Sequence, residues 1–433
     1  MRMVVLGLGY LGATHAACMA ELGHEVLGVE IDPAKRDSLA AGEVPFYEPG
    51  LPDLLSKHIR SGNLQVTDSY ADAADFADVF FIAVGTPQKK GEYGADLQYV
   101  DSVIEELVPQ LTRNSIILGK STVPVGTTNR LTERAAELAK DIGVEIAWNP
   151  EFLREGYAVR DTLEPDRLVV GAFPGGQAEA IARDIYASAI ERGTPFLVTD
   201  PSSAELVKTS ANAFLATKIS FINAIAEVCD AAGADVRAVA DAIGFDTRIG
   251  RKFLNAGLGF GGGCLPKDIR AFMARAGELG AAEALSFLRE VDNVNMRRRT
   301  RMVELTRKAC GGSLLGVRIG VLGAAFKPES DDVRDSPALN VAGQVQLQGA
   351  SVTVYDPKAM ANSRLLYPTL DYATTAIGAC ESADVVIVAT EWNEFVSLDP
   401  FRVGDVVRQK RVIDGRMCLP EAAWKAAGWE YWT

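Results

Sequence analysis

The sequence predicts an α/β protein in which two doubly wound domains are joined by a long central helix and a helical middle domain. Short apolar runs alternate with helical patterns at both ends of the chain, as in parallel sheets covered by helices on both faces. The two ends also repeat one another, since GHEVLGVEIDP is echoed by GASVTVYDP and FADVFFIAVGTP by SADVVIVATEW. Between them, residues 203–242 keep the apolar spacing of one long helix, with a break expected near Gly233. We therefore expect domains at residues 1–200, 201–310 and 311–433.

Composition argues against several classes of partner. The chain has 433 residues, 48% hydrophobic and 23% charged, which is typical of a soluble globular protein. A net charge of −13 argues against nucleic acid and against anionic membranes. Six cysteines without CxxC spacing argue against a zinc site or a disulfide framework. We expect no metal, no signal peptide, no membrane-spanning segment and a cytoplasmic location.

The first apolar run leads into a glycine fingerprint. Residues 3–8 are followed by GLGYLG (residues 7–12) and then by a helical pattern. Gly7 would make a tight turn, Gly9 would admit a pyrophosphate to the backbone, and Gly12 would let helix and strand pack closely. A second strand ends at Glu30, the position whose carboxylate binds the adenosine ribose and repels a 2′-phosphate. The pattern predicts a Rossmann-like domain that binds NAD in preference to NADP.

Polar turns follow three further strands, predicted at 79–84, 115–118 and 144–147. These turns are Gly85-Thr86-Pro87, Lys120-Ser121-Thr122-Val123-Pro124 and Asn149-Pro150-Glu151. Carboxyl ends of parallel strands share one edge of a sheet, where ligands bind, although Thr86 and Thr122 have turn capping as an alternative role. Glu151 and Glu155 are four residues apart and are expected on one face of a helix, either as a solvated first turn or as part of a site.

The middle of the chain carries a lysine, an amide and a thiol. Lys208 and Asn212 share one face of the predicted long helix, where they either meet solvent or hold an oxyanion and a substrate in a cleft. In GLGFGGGCLPKD (residues 257–268), Cys264 follows five glycines in seven positions, which favours a loop that brings backbone close to a ligand. A following lysine and helix start favour the thiolate. The alternative is a glycine-rich hinge with an incidental buried cysteine. The Arg297-Arg298-Arg299 cluster is interpreted as a solvated helix end.

The C-terminal repeat lacks GxGxxG. It has Gly323-Ala324-Ala325-Phe326-Lys327 in the corresponding turn, so it need not bind a dinucleotide. Lys327, Arg334 and Arg416 lie in loops of this repeat, and three cations at the carboxyl edge of a sheet indicate an anionic ligand such as a nucleotide diphosphate.

Together these motifs resemble the nucleotide-sugar 6-dehydrogenases, most closely the UDP-glucose 6-dehydrogenase family. The resemblance covers nearly the whole chain, since GLGYLG, VGTP, KSTVPVGT, NPEFLREG, the Lys208–Asn212 helix, GFGGGCLPKD, GAAFKPESDDVRDSP and IDGR occur in the family's order. It implies a four-electron oxidation of a primary alcohol to a carboxylate with two NAD⁺, UDP-glucose as the expected substrate, and a homodimer or larger homo-oligomer. One departure is Gly263, where many relatives carry Ser or Tyr.

The same resemblance implies a role for each site residue. Cys264 would capture the C6 aldehyde as a thiohemiacetal that is oxidised to a thioester, and Lys208, beside Asn212, would stabilise the oxyanion. Asp268 and Thr122 would position or activate water, and Glu151 would assist proton transfer. The implied cofactor-binding residues are Gly7, Gly9, Tyr10, Leu11, Gly12, Glu30, Lys35, Gly85, Thr86, Pro87, Ser121, Thr122, Glu155, Lys267 and Arg334. The implied substrate-binding residues are Glu151, Phe152, Leu153, Lys208, Asn212, Arg248 (across the dimer), Asn255, Phe260, Gly261, Phe326, Lys327 and Arg416.

The same residues allow three alternative interpretations. A two-electron hydroxyacid dehydrogenase also pairs GxGxxG with a Lys-x-x-x-Asn helix, but it has no use for Cys264 in a glycine loop or for a repeated C-terminal lobe. A non-catalytic nucleotide-sugar-binding or NAD-binding regulator should lack the thiol or the lysine. The same chemistry on GDP-mannose, a UDP-N-acetylhexosamine or dTDP-glucose is poorly discriminated by these motifs, because loops read the base and the sugar. The segment RIGRKF favours UDP-glucose.

Overall fold

The computed structural model describes residues 1–139 and 142–433, which form two compact units. The first unit comprises Met1–Ala211 and Arg270–Gly280. The second comprises Asn212–Ile269 and Ala281–Thr433.

The first unit is built on a sheet of eight strands among its described residues. The strands are β1 (Arg2–Leu6), β2 (Glu25–Val29), β3 (Leu64–Thr67), β4 (Val79–Ile82), β5 (Ser115–Gly119), β6 (Val144–Trp148), β7 (Leu168–Gly171) and β8 (Phe196–Thr199). Their order is β3-β2-β1-β4-β5-β6-β7-β8, parallel throughout except that β7 pairs antiparallel with β6. Because the strand order reverses between β1 and β4, a ligand crevice is expected at the carboxyl ends of these two strands.

Helices cover both faces of this sheet, as the sequence predicted. They are α1 (Tyr10–Glu21), α2 (Pro33–Ala40), α3 (Leu51–Ser61), α4 (Tyr70–Phe76), α5 (Gln98–Leu107), α6 (Thr127–Leu138), α7 (Ala158–Leu163), α8 (Ala178–Ile185) and α9 (Ala187–Glu191), with a 3₁₀ turn at Val108–Gln110. Side chains alternate between the faces of a strand, so Met3 and Val5 join one buried cluster while Val4 and Leu6 join another. The continuous apolar runs therefore reflect burial on both faces.

The long helix and its break are also confirmed. Helix α10 (Pro201–Ala232) has 32 residues and is followed by α11 (Val236–Gly244). Gly233, between them, has φ +73°, a left-handed conformation that glycine adopts readily. Helix α12 (Leu265–Glu278), a 3₁₀ turn at Ala282–Leu285 and helix α13 (Phe287–Ala309) follow. No helix in the described part of the chain is both long and apolar enough to cross a bilayer.

The second unit contains a smaller sheet in which every pair of neighbouring strands is parallel. Its strands are β9 (Arg318–Leu322), β10 (Ser351–Tyr355), β11 (Asp371–Tyr372), β12 (Val385–Val388), β13 (Arg411–Asp414) and β14 (Glu430–Trp432), in the order β11-β10-β9-β12-β13-β14. Its helices are α14 (Pro337–Leu347), α15 (Met360–Leu366), α16 (Ala376–Cys380), α17 (Asn393–Val396), α18 (Pro400–Gly404) and α19 (Glu421–Ala426).

The internal repeat predicted from the sequence is present in the backbone. The Gly7 amide donates to the Val29 carbonyl at 2.9 Å, and the Gly323 amide donates to the Tyr355 carbonyl at 2.8 Å. Both glycines have positive φ, +88° and +111°. The two units therefore share the turn after their first strands, although the next helix begins at Tyr10 in the first unit and only at Pro337 in the second.

The prediction that the arginine cluster is a solvated helix end is wrong. Arg298 and Arg299 lie in the middle of α13 and are only 4% and 2% exposed, while Arg297 is exposed. The helical period explains the difference, because residues three and four apart share a face, and Asn295, Arg298, Arg299 and Met302 form the buried face of α13.

Candidate active site

The turn after β1 has the shape that a dinucleotide phosphate requires. A Cβ atom at Gly12 would lie 1.8 Å from the Gly7 carbonyl oxygen, so only glycine lets α1 start this close to the turn. A Cβ atom at Gly9 would meet no described atom within 4 Å, which leaves open space beside the backbone at the start of α1. Free N–H groups and the helix dipole make such a position favourable for a pyrophosphate. The residues present fit NAD here.

Glu30 completes this cofactor site. Its side chain is 8% exposed, and its two carboxylate oxygens accept from the amides of Leu8 and Asp32, each at 3.0 Å. A carboxylate has about four acceptor positions, so the remaining ones suit ribose hydroxyls. Asp32 caps α2 by accepting from the amides of Ala34 and Lys35, and the Lys35 side chain is in solvent.

The corresponding acid of the second unit is already occupied. Asp356 is 1% exposed and accepts from five N–H groups, those of the Ala324, Ala325, Lys358 and Ala359 amides and the Trp392 indole. It has no acceptor position left for a ribose. The expectation that this turn need not bind a dinucleotide agrees with that arrangement.

The polar turns after β4 and β5 bind each other. The Ser121 hydroxyl donates to the Val84 carbonyl at 2.6 Å, and the Thr86 hydroxyl donates to the Thr122 carbonyl at 2.7 Å. Thr86 therefore bridges two strand ends and does not cap its own turn. Gly85 and Pro87 flank this bridge.

Glu151 and Lys208 form an ion pair in the first unit. The Lys208 Nζ lies 2.9 Å from Glu151 Oε1, and Lys208 is 6% exposed. The Lys208 ammonium also lies 5.7 Å from the centre of the Phe152 ring, and the Leu153 amide donates to the Glu151 carboxylate. The solvent-facing alternative for Lys208 is thereby excluded.

The expectation that Glu151 and Glu155 share a helix face is wrong. The chain is irregular from 151 to 154, turns at Glu155, and enters α7 only at Ala158. Two features account for the later start of α7. The Arg154 amide and guanidinium both donate to Asp161, and Gly156 adopts φ +79°.

In the second unit, Cys264 directly precedes α12 and is solvent exposed. The Asp268 amide donates to the Cys264 carbonyl at 2.9 Å, which places the Asp268 carboxylate in the first helical turn. That carboxylate is 2% exposed and takes one bond on each oxygen, from Asn212 Nδ2 and from Lys267 Nζ, both at 2.6 Å. The alternative of an incidental buried cysteine does not describe this thiol.

The glycines before Cys264 are required by close packing. A Cβ atom at Gly261 would lie 2.3 Å from the Asp335 carbonyl oxygen, and one at Gly262 would lie 2.9 Å from the Phe326 ring. At Gly263 the nearest atom would be the Arg334 guanidinium carbon at 2.2 Å, so any larger residue there would require Arg334 to move.

The predicted cations of the second unit differ in what they contact. Arg416 donates to the carbonyls of Ala389, Gly259 and Phe326 at 2.9 to 3.1 Å, which uses three of its five N–H groups. The Lys327 Nζ lies 5.6 Å from the centre of the Phe326 ring. Arg416 therefore ties the glycine loop to the turn after β9.

Three further predicted residues bind near neighbours. Arg334 forms a bidentate pair with Asp332, and Arg248 forms one with Asp246. The Asn255 side-chain carbonyl accepts from Arg251.

Three sequence models of one protein family match consecutive parts of this chain. They describe the NAD binding domain (residues 1–190), central domain (202–297) and UDP binding domain (320–421) of the UDP-glucose/GDP-mannose dehydrogenase family. UDP-glucose 6-dehydrogenase of Rhizobium meliloti (strain 1021) is 40% identical over 417 residues, covering 96% of this chain and 95% of the relative. This chain belongs to the UDP-glucose/GDP-mannose dehydrogenase family.

Two further proteins similar to this chain support its assignment to the UDP-glucose/GDP-mannose dehydrogenase family. UDP-glucose 6-dehydrogenase TuaD of Bacillus subtilis (strain 168) is 40% identical over 433 residues, covering 99% of this chain and 92% of the relative. The structure of a UDP-glucose dehydrogenase from the hyperthermophilic archaeon Pyrobaculum islandicum has a TM-score of 0.91 at 39% identity, covering 100% of this chain and 97% of that one. The predicted family, fold class, NAD cofactor and NAD-dependent oxidoreductase class are confirmed, and the UDP binding domain indicates a nucleotide-sugar substrate.

The family domains divide the predicted site residues. In this member of the UDP-glucose/GDP-mannose dehydrogenase family, the NAD binding domain contains the glycine turn, Glu30 and Glu151. The central domain contains Lys208, Asn212, Cys264 and Asp268, and the UDP binding domain contains Phe326, Lys327, Arg334 and Arg416.

Two buried carboxylates that shape these sites were not predicted from the sequence. Glu48 is 1% exposed and accepts from the Tyr10 hydroxyl and from the amides of Gly156 and Ala158. Glu205 is 2% exposed and accepts from the start of α6, and burial raises the pKa of its carboxyl. Their sequence signal is weak: an acid before Pro-Gly and an acid within an apolar helix.

Proposed function

We propose that this protein oxidises UDP-glucose to UDP-glucuronate in two NAD-dependent steps, with Cys264 holding the substrate carbon between them. The observation that carries the proposal is the exposed thiol at the start of α12, next to an Asp268 carboxylate held on both oxygens. The relatives named UDP-glucose 6-dehydrogenase, about 40% identical over nearly the whole chain, support the choice of substrate.

The thiol lets one enzyme carry out two oxidations without releasing an aldehyde. The first oxidation converts the C6 alcohol to an aldehyde, and the Cys264 thiolate adds to that carbon to form a thiohemiacetal. The second oxidation gives a thioester, and water then breaks the C–S bond to release the carboxylate and the thiolate. Bound NAD⁺ supplies the hydride acceptor for both oxidations, one molecule for each.

The ion pair of Lys208 and Glu151 serves the reacting oxygen in this proposal. A buried ammonium group donates strongly to a developing oxyanion, because water does not screen it. The Glu151 carboxylate, 2.9 Å from the Lys208 ammonium, keeps that group charged and provides an acceptor for the alcohol proton. Lys208 then stabilises the oxygen in the alkoxide and in the thiohemiacetal.

Asp268 acts on water in the hydrolysis step. Asn212 and Lys267 each occupy one acceptor position of its carboxylate, which fixes the orientation of the group and leaves other positions for water. Thr122 assists in positioning this water, as the family resemblance implies.

The nucleotide diphosphate is held by the second unit. Besides its three main-chain bonds and an ion pair of its Nε with Glu391, Arg416 has two further N–H groups, and Lys327 adds an ammonium beside the Phe326 ring. Asn255, Phe260 and Gly261 contribute the loop that wraps the sugar.

A homodimer through α10 belongs to the same proposal. Phe214, Phe221 and Val228 are 66%, 50% and 62% exposed, and their spacing of seven residues makes one apolar stripe along the helix. The Arg248 side chain is largely exposed, which suits a residue that contacts substrate bound to another subunit.

The test measures NADH formed per sugar consumed. The protein is mixed with NAD⁺ and UDP-glucose, GDP-mannose, UDP-N-acetylglucosamine or dTDP-glucose. We expect two NADH per UDP-glucose, and a loss of turnover on the order of 10³-fold or more in Cys264→Ser, because a serine hydroxyl adds poorly to the aldehyde. Cys310→Ser, at a half-buried cysteine, is the matched control and should retain wild-type turnover.

Each other outcome corrects a definite part of the proposal. Two NADH from another sugar would keep the mechanism and change the substrate. One NADH per sugar, with Cys264→Ser as active as the wild type, would contradict the covalent mechanism.

A further inference from the structure

The glycine loop before the nucleophile, residues 257–263, is held mainly by side chains from elsewhere in the second unit. Glycine loses the most backbone entropy on ordering, so a segment with five glycines does not determine its own path. Its main-chain groups bond to distant residues: the amides of Gly257, Gly262 and Gly263 donate to Asn223 Oδ1, the Arg334 carbonyl and Asp332 Oδ2, and the Gly259 carbonyl accepts from Arg416.

Asn295, on the buried face of α13, makes the closest connection to this loop. Its Oδ1 accepts from the Phe260 amide at 2.7 Å and its Nδ2 donates to the Phe260 carbonyl at 3.0 Å. A Cβ atom at Gly259 would lie 2.4 Å from the same Oδ1, so the loop backbone rests directly on this side chain. Asn295 has no exposed surface, and a buried amide that loses such partners is costly.

The neighbouring buried arginines extend the same contact. Arg298 Nε donates to the Gly257 carbonyl at 2.8 Å. Arg299 Nη2 lies 3.4 Å from the Phe260 carbonyl oxygen, and its Nη1 pairs with Asp335 at 2.7 Å. One face of α13 therefore bonds to the loop at Gly257 and again at Phe260.

We propose that Asn295 and Arg298 are positioning residues for the nucleophile, which set the path of the glycine loop and thereby the place of Cys264 at the start of α12. The proposal rests on the proposed role of Cys264. Neither residue needs to touch substrate, because both act through the main chain of the loop.

The first test compares Asn295→Leu with Asn293→Leu. Leucine is branched at Cγ like asparagine but makes neither bond to Phe260, so we expect kcat to fall about 10²-fold through misplacement of the thiol. KM for NAD⁺ should stay within about twofold, since the dinucleotide turn lies in the first unit. Asn293 is exposed two residues earlier on α13, and Asn293→Leu should behave as the wild type. Asn295→Asp keeps the acceptor for the Phe260 amide and should give a smaller loss.

The second readout needs neither substrate nor cofactor. Alkylation of Cys264 by iodoacetamide is followed by mass spectrometry across pH in the full-length protein. A thiol displaced from the amides at the start of α12 should ionise at higher pH, so the midpoint of the profile should rise in Asn295→Leu and stay in place in Asn293→Leu. A folded Asn295→Leu protein with wild-type kcat and an unchanged midpoint would overturn the proposal.

A milder pair of variants covers the case in which Asn295→Leu does not fold. Arg298→Lys keeps the charge but cannot reproduce the Nε bond to the Gly257 carbonyl, and Arg297→Lys makes the same change at an exposed position. We expect a lower kcat and a raised alkylation midpoint in Arg298→Lys alone. Identical behaviour of the two variants would refute the role of Arg298.

The two proposals fail in different ways. One NADH per sugar with an active Cys264→Ser protein would reject the covalent mechanism while leaving the alkylation profile to report the loop position. Two NADH per sugar with an inactive Cys264→Ser protein, but no difference between Asn295→Leu and Asn293→Leu, would reject only the positioning role.

Discussion

At the residue scale, Lys120 is an unusual group because its ammonium is buried below the carboxyl edge of the first sheet. It donates to Asn149 Oδ1 at 2.9 Å, an oxygen that also accepts from the Tyr186 hydroxyl at 2.7 Å. Removal from water lowers the pKa of Lys120 from 10.5 to about 8, although the negative charge of Glu151 opposes this. The charged Lys120 therefore binds Asn149, at the start of the segment that leads to Glu151, and burial of its charge lowers the free energy of unfolding.

This burial predicts how stability depends on pH. Between pH 8 and 10.5 the unfolded chain binds more protons at Lys120 than the folded chain, so the contribution of Lys120 to the free energy of unfolding should rise with pH by about 3 kcal/mol across this range. Below pH 8 both states are charged and the contribution is constant. The measurement is urea unfolding of the wild type and Lys120→Met from pH 7.5 to 10.5.

The difference in the free energy of unfolding between the wild type and Lys120→Met reports the titration of Lys120, because every other titrating group is present in both proteins. Burial raises the pKa of Tyr186 and lowers that of His15, so these neighbours do not change charge in the folded protein in this range, and their titration in the unfolded chain is common to both proteins. If the wild type and Lys120→Met show the same pH dependence, Lys120 does not titrate as described.

The same scale shows why some site residues were recognised in the sequence and others were not. Gly7 has a positive φ, and Gly12 lies too close to the Gly7 carbonyl to carry a Cβ atom. Both requirements arise within a few residues of the chain, so a sequence motif shows them. Charged residues are seldom fully buried, so Arg298 was expected in solvent, and Glu48 carries no pattern that distinguishes it from other acids of the sequence. Their burial depends on partners far away in the chain.

At the scale of elements, Glu48 joins three segments of the first unit. From the connection between α2 and α3, its carboxylate accepts from Tyr10 in the cofactor turn and from Gly156 and Ala158 at the start of α7. The segment from Glu151 to Glu155 ends at this contact. One buried carboxylate therefore sets both the phosphate turn and the loop that bears Glu151.

Glu48→Gln should weaken both the fold and cofactor binding. A glutamine amide cannot accept from all three donors, so we expect the free energy of unfolding to fall by about 1–3 kcal/mol and KM for NAD⁺ to rise several-fold. Chemical denaturation and steady-state kinetics measure the two effects. Glu43→Gln changes an exposed acid of the same connection and should alter neither.

Tyr10→Phe tests the connection directly. If Glu48 and Tyr10 act together, the effects of Glu48→Gln and Tyr10→Phe on KM for NAD⁺ should not add in the double variant. Strict additivity would contradict the coupling.

At the scale of the whole molecule, the compact units do not follow chain order. Arg270–Gly280 belongs to the first unit although Cys264, a few residues earlier, belongs to the second. The compact units divide the chain within α10 and within α12, whereas the sequence predicts domain limits at residues 200 and 310. Those limits stay a prediction.

The prediction at this scale concerns the oligomeric state of the protein. Phe221→Glu places a charge in the apolar stripe of α10, and we expect a dimeric wild type to become monomeric and to lose most of its activity, because Arg248 would no longer reach the substrate of a second subunit. Sedimentation velocity and turnover of the same samples measure this. Leu347→Glu, at an exposed leucine of α14, is the control. A Phe221→Glu protein with the wild-type mass would place the interface elsewhere.

The sequence by itself determined the doubly wound architecture, the NAD turn, the family and the place of a cysteine directly after a glycine run. These properties depend on local constraints, namely strand and helix periods, glycine-only contacts and the residue types that chemistry requires. Only the tertiary structure decided which charges are buried and what they bind, as in Lys208 with Glu151 and Asn212 with Asp268, 56 residues away. Burial results from packing between distant segments, and no local pattern records which segments will meet.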